Sequence, residues 1–283
     1  MSILTRRDAL KGALLAPAVA ALPAAETKWP VKADHHPFGA LKVGMTSYTT
    51  REYPWDASLK ILKQLGVGYV SIKDVHLPLG SSKEERANAK RAVDRAGLTL
   101  LGCGVITLRN NEAEIRRALE YVRDLGAATA VVAPDPAAVP TISKVVKDFD
   151  LRVAIHNHGP EDKKFPAPSD VWDAIQGLDP KIGLCIDVGH TLRTGNDPAA
   201  AIRKYASRLY DVHIKDITRD PAAPDLKYKN VPLGTGVIDV ASYLKALVEI
   251  RYAYHVALEY EAEPENPVPG MAACYGFLRG FLA

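Results

Sequence analysis

A chain of 283 residues with 47% hydrophobic and 24% charged side chains has apolar material for one large core or two small ones, and no low-complexity run divides it. A formal net charge of +3 is too small to draw it to a polyanion, which excludes nucleic-acid binding built on bulk electrostatics. Cys103, Cys185 and Cys274 sit in apolar segments without the short spacing of a zinc motif, and read as small buried core residues.

The first residues differ from the rest. Residues 1–25 join a basic head at Arg6 and Arg7 to an Ala/Leu-rich stretch with small residues suited to cleavage, and with Asp8, Ala9, Leu10 and Lys11 they resemble a twin-arginine export signal. The apolar stretch falls short of the ~20 residues of a bilayer span and is broken by Pro17 and Pro23. The expectation is a cleaved leader, cut after Ala20 or Ala25, and a mature protein exported to the periplasm with no membrane association. Losing three cations and one anion takes the formal charge from +3 to +1. A polar lead, 26–40, then precedes a single domain over 41–283.

From there, apolar runs alternate with amphipathic ones. Strands are expected at 41–47, 67–73, 98–106, 127–133, 151–156, 181–187, 208–215 and 254–260. Helices are expected at 54–65, 82–96, 112–125, 137–149, 168–175, 198–205, 239–251 and 270–281. Ser81 or Ser82 with Glu84 and Glu85 marks a helix start, and Gly66, Gly97 and Gly126 each close a helix before the next strand. Eight βα units in about 250 residues match a single α/β (β/α)8 TIM barrel. A doubly wound sheet, the competitor, would gather ligands at one switch point. The glycine pair in "GTGVID" lacks a strand–GxGxxG–helix context and reads as a turn into the helix at 239–251, with Asp239 as its N-cap. No nucleophile elbow, Walker sequence or CxxC is present.

His156, Asp187, His213 and Glu259 each lie at or just past the end of a separate strand. Parallel strands bring such residues to one rim, and two imidazoles with two carboxylates there describe a divalent-metal site. Glu261 shares the strand face of Glu259 and is the second choice for that ligand. Lys215, two residues after His213, faces the same rim, where a cation stabilises an enolate. His158 could bond a sugar hydroxyl or orient a ligand, and Lys73 and His76, at the end of the second strand near the same rim, are candidates for substrate contact.

The segments "VAIHNHGPED", "GLCIDVGH", "LYDVHIKDITR", "VPLGTGVID" and "HVALEYE" resemble the xylose-isomerase-like family of TIM barrels, the sugar phosphate isomerases and epimerases. The resemblance covers the mature chain in its βα order, with specific motifs from Val153 to Glu261. It implies one divalent metal held on strands five to eight, with Asp187, His213 and Glu259 on family ligand positions. His156 stands where the family usually has a glutamate. That departure removes one of the two glutamates that the family's epimerases use as acid/base groups. It also shifts the expected ion toward a transition metal, Mn first, with Co, Fe, Ni or Zn as alternatives. His190 and Arg219 fall on family positions that contact substrate.

The implied chemistry is proton abstraction next to a metal-chelated carbonyl, with Glu259 as base alone or jointly with Lys215 or His158. The leading expectation is a sugar isomerase or epimerase. The alternative is a lyase or hydratase on an oxidised sugar or glycoside, and a reading of another class is a non-catalytic exported sugar-binding protein. The expected partner is a small sugar and not nucleic acid, while the outer helix faces leave a homo-oligomer open.

Overall fold

The computed structural model describes residues 37–219 and 228–283. The expected leader over 1–25 and the lead segment up to residue 36 lie outside the described residues.

Eight parallel staves close into a barrel. They are β1 (Lys42–Thr46), β2 (Tyr69–Ile72), β3 (Thr99–Leu108), β4 (Thr129–Pro134), β5 (Arg152–His156), β6 (Ile182–Asp187), β7 (Leu209–Ile214) and β10 (His255–Leu258). The ring runs β1-β10-β7-β6-β5-β4-β3-β2 and then returns to β1. Between β7 and β10, β8 (Asp216–Arg219) and β9 (Tyr228–Val231) form a separate antiparallel pair. The helices are α1 (Trp55–Gln64), α2 (Lys83–Arg95), α3 (Glu112–Asp124), α4 (Val139–Val145), α5 (Pro168–Ile175), α6 (Val188–Arg193), α7 (Pro198–Lys204), α8 (Val240–Glu249) and α9 (Val268–Leu282). None of the described helices is long and apolar enough to cross a membrane.

The βα rhythm follows from local signals. Ser82 and Glu85 form a reciprocal capping box at the start of α2. Gly66, Gly97 and Gly126 end α1, α2 and α3 in the left-handed region, with φ of 65°, 73° and 69°. In each case the glycine N–H reaches back three residues and the next N–H five, the paired bonds of a Schellman cap. Asp239 caps α8 by accepting from the Ser242 N–H at 2.9 Å.

The departures from expectation have local causes. The helix expected over 137–149 is α4 flanked by two 3-10 turns, Pro136–Ala138 and Val146–Asp148, with Pro140 in the first turn of α4. β10 stops at Leu258, but the Glu259 N–H still donates to Ile214 O at 3.0 Å, so Glu259 keeps the alternation of that stave. Cys103, Cys185 and Cys274 are free and buried.

Candidate metal centre at the barrel mouth

His156 and Asp187 are the last residues of β5 and β6, His213 is the last but one of β7, and Glu259 follows β10 directly. Asp187 pairs with His213 across the β6–β7 ladder, while His156 pairs with Cys185. Ala154 and Cys185 precede ligands by two residues and share their inward face, in a small apolar cluster with Val131 and Tyr210.

One ligand atom from each of His156, Asp187, His213 and Glu259 lies within 4.8 Å of all the others. His156 Nε2 faces His213 Nδ1 at 3.1 Å and Asp187 Oδ2 at 3.6 Å, and His213 Nδ1 is 3.4 Å from Glu259 Oε2. The span is close to that of one divalent cation with ligand bonds of about 2.0–2.2 Å. All four side chains are buried, Glu259 being the most exposed at 8%. Asp187 Oδ2 points into the cluster with the Lys215 ammonium 3.0 Å away, and its remaining lone pairs, like the two imidazole nitrogens that face each other at 3.1 Å, are acceptors that a shared cation satisfies. Two imidazoles and two carboxylates fit a transition ion such as zinc or manganese better than magnesium or calcium.

Asp187 does two jobs. Its Oδ1 caps α6 by accepting from the His190 N–H at 2.8 Å, which leaves Oδ2 for the cluster. Its own N–H donates to Asn157 Oδ1 at 3.0 Å, the Asn157 amide donates to Thr191 Oγ1 at 3.2 Å, and that hydroxyl donates to Asp187 O at 2.6 Å. The turn from β6 into α6 is thereby locked. Thr46 on β1 donates to Glu259 Oε1 at 3.3 Å. Sequence reasoning missed Asn157, Thr191 and Thr46. Asn157 lies between two histidines in "HNH", and alternation there suggests a backing residue rather than a ligand.

Lys215 is 3% exposed and sets its ammonium 2.8 Å from Glu259, 2.6 Å from Glu261 and 3.0 Å from Asp187. Burial opposes that charge, but the three carboxylates outweigh burial and hold its pKa well above the ordinary lysine value. In return, although burial would raise them, Lys215 holds the Asp187 and Glu259 carboxyls well below the usual carboxylate range. Gly189 makes this possible, because a Cβ there would lie 2.8 Å and 2.9 Å from Cδ and Cγ of Lys215. Glu261 binds Lys215 and stands outside the group of four.

The other histidines gather at the same mouth. The His156 ring centre is 4.4 Å from that of His158 and 5.8 Å from that of His190. Burial pushes His156, His158 and His190 down to about 4, His158 also being depressed by His156, so all three are neutral near pH 7. Burial lowers His213 too, but the Cys185 and Glu259 side chains beside it outweigh burial and hold its pKa well above the usual value.

Three further residues stand apart from the cluster. Lys73 follows β2, near Val105 O at 3.4 Å and Asp74 at 3.3 Å. His76 packs on Trp55 and spends both its nitrogens on tying loops together, Nδ1 on Ser47 Oγ and Nε2 on Tyr53 O, at 3.0 Å each. Arg219 ends β8 with its side chain exposed and has no hydrogen bond or ion pair with the four among the described residues.

Comparison with known proteins agrees with this architecture. A 141-residue stretch is 28% identical to the inosose dehydratase of Clostridium tetani, covering 45% of this chain and 46% of that protein. The chain thus spans about half the length of that relative. The rhizopine catabolism protein MocC of Rhizobium meliloti is 23% identical over 84% of this chain and 89% of its own. The crystal structure of the IolI protein with a bound zinc atom superposes with a TM-score of 0.71 at 16% identity, over 86% of this chain and 98% of that one, a likeness of fold. The family model described as xylose isomerase-like TIM barrel matches residues 59–279, and the chain belongs to that family.

Proposed function

We propose that the protein is a divalent-metal-dependent lyase of the dehydratase type, which removes water from a polyol or cyclitol bearing a ketone flanked by hydroxyls. The observation that carries the reading is the buried quartet in which a single glutamate, Glu259, lies 2.8 Å from an ammonium, Lys215. Inverting a carbon calls for a proton taken from one face and returned on the other, which two opposed carboxylates serve. With His156 in the first ligand position and Asp187 Oδ1 spent on α6, one base remains, and elimination of water needs only one. The dehydratase name of the Clostridium tetani relative supports the same choice.

His156, Asp187, His213 and Glu259 would hold the cation, which when bound supplies Lewis-acid polarisation of the substrate carbonyl. The Glu259 carboxylate takes the proton from the carbon next to the carbonyl, at Oε1, the oxygen that Thr46 contacts. The electrons of that C–H bond move toward the carbonyl oxygen, and the Lys215 ammonium meets the developing charge. As the enolate collapses, the C–O bond to the β-hydroxyl breaks. The same Glu259 carboxyl returns its proton to the leaving oxygen, which departs as water. His158 and His190, neutral and at the mouth, offer hydrogen bonds to the remaining hydroxyls. The resemblance of residues 1–25 to a twin-arginine export signal supports export and a free, unphosphorylated substrate.

The test incubates the metal-loaded protein with keto-inositols and oxidised hexoses in D2O and follows the products by mass spectrometry and NMR. Loss of water to an unsaturated or rearranged ketone is expected, and Glu259→Gln lowers kcat by about 10²–10⁴-fold. Deuterium entering one carbon with the skeleton intact would overturn the reading in favour of an epimerase. Sugar binding without turnover would leave a binding protein.

A further inference from the structure

We propose that Asp211 is the positioning residue of the metal centre: its carboxylate takes the Nε2–H of His213 and so keeps the bare Nδ1 of that ring turned toward the cation. The inference rests on the metal-binding reading above and assigns a role to a residue outside the ligand set.

His213 shows its two nitrogens to different surroundings. Nδ1 lies among the quartet, 3.1 Å from His156 Nε2 and 3.4 Å from Glu259 Oε2. Nε2 faces the layer beneath, 3.9 Å from Asp211 Oδ1. A neutral imidazole that binds a cation through one nitrogen carries its proton on the other, and that N–H needs an acceptor to fix the ring and raise its basicity. Asp211 stands two residues before His213 on β7 and therefore points into the same interior one layer down. Cys185 is the other neighbour, but a thiol is a weak acceptor beside a carboxylate.

The layer around Asp211 is enclosed and short of partners. Asp211 is 0% exposed, Ser71 1% and His255 2%. Both carboxylate oxygens of Asp211, both ring nitrogens of His255 and the Ser71 hydroxyl have no hydrogen-bond partner, with His255 Nδ1 3.8 Å from Asp211 Oδ2. Two glycines make the room that these side chains occupy. A Cβ on Gly44 would run into His255 Nε2, and one on Gly102 would come within 3.1 Å of Ser71 Oγ and 3.5 Å of Asp211 Oδ2. A carboxylate kept in such a place has to be matched by hydrogen-bond donors, and a short swing toward Nε2 supplies the one that matters to the centre.

Zinc is the probe cation, and its affinity is read by competition with a chelating dye in wild type, Asp211→Asn and Asp211→Leu, each checked for folding by circular dichroism. Both variants are expected to bind zinc about 10–100-fold more weakly than wild type, with Leu the weaker. Independently of any variant's folding, long-range proton–nitrogen NMR of zinc-loaded, ¹⁵N-histidine-labelled wild type is expected to show His213 protonated on Nε2 and bare of hydrogen on Nδ1. His213→Gln identifies the signal. Folded Asp211 variants that bind zinc within twofold of wild type, or a His213 proton on Nδ1, overturn the proposal. A wild type that takes up no zinc fails at an earlier step, because it overturns the metal reading itself.

Discussion

Asp187 divides its two oxygens between the fold and the chemistry, so the two roles are separable by one atom. Asn also caps helices well, and Lys215, although it loses its 3.0 Å ion pair with Oδ2, keeps two other carboxylates, Glu259 and Glu261, hence Asp187→Asn is expected to keep the cap on α6 and change stability by no more than about 1 kcal/mol. Cation affinity, by contrast, falls by an order of magnitude or more, because Oδ2 is lost as an anionic ligand. Urea unfolding without metal and dye competition with it read the two effects apart, and an equal loss in both would contradict the division. The clustering of His156, Asp187, His213 and Glu259 was legible in the sequence because each lies at or near the end of a stave, and parallel staves gather their ends. The residues that orient them were not. Thr46 lies on a neighbouring stave, Asn157 on the opposite strand face, Thr191 on α6 and Asp211 one layer down its own stave, and only closure of the barrel shows which of them meet.

At the scale of elements, the departures from a plain βα repeat lie beside the site. The β8–β9 pair is polar, "DITR" against "YKNV", and has no apolar alternation to announce it. The six-residue helix α6 contains Gly189 and starts at a ligand, so neither length nor periodicity reveals it. "GTGVID" is a turn into α8, as its glycines suggested, but its partner is distant. The Asp216 carboxylate accepts from Ile217 N–H at 2.8 Å, Gly234 N–H at 3.0 Å, Gly236 N–H at 2.8 Å and Ile238 N–H at 3.1 Å. A Cβ on Gly236 would strike that carboxylate, which is why the second glycine is there. Asp216→Ala leaves four N–H groups without their charged acceptor and is expected to cost about 3 kcal/mol, read from the urea midpoint. The C-terminus of α8 offers the opposite change. Arg251 occupies the left-handed position of a Schellman cap at φ 51°, with its N–H on Val248 O and the next N–H on Leu247 O. Four other helices, α1, α2, α3 and α6, place glycine there. Arg251 is exposed, so Arg251→Gly is expected to stabilise the fold by about 0.5–1 kcal/mol, measured by the same unfolding curve.

Across the whole molecule, the site fastens half of the barrel. Its ligands come from β5, β6, β7 and the end of β10, four neighbouring staves in the ring, and in the metal-binding reading one cation ties their C-terminal ends. The barrel as a unit was legible because eight apolar runs alternate with capped helices. The inward layers below the mouth were not, since the Asp211–His255 contact depends on the register between β7 and β10. A cation that binds only the closed ring stabilises it by mass action, by about 2.7 kcal/mol at a free concentration 100 times its Kd. In a domain of this size each kcal/mol moves the melting midpoint by about 2–4 °C, so saturating zinc or manganese is expected to raise it by about 5–10 °C. His213→Ala, with a ligand removed, should lose most of that rise while its metal-free midpoint shows the cost of the substitution itself. Calorimetry of both proteins with and without the ion checks this, and an equal rise in wild type and variant would place the stabilising ion somewhere other than the mouth of the barrel.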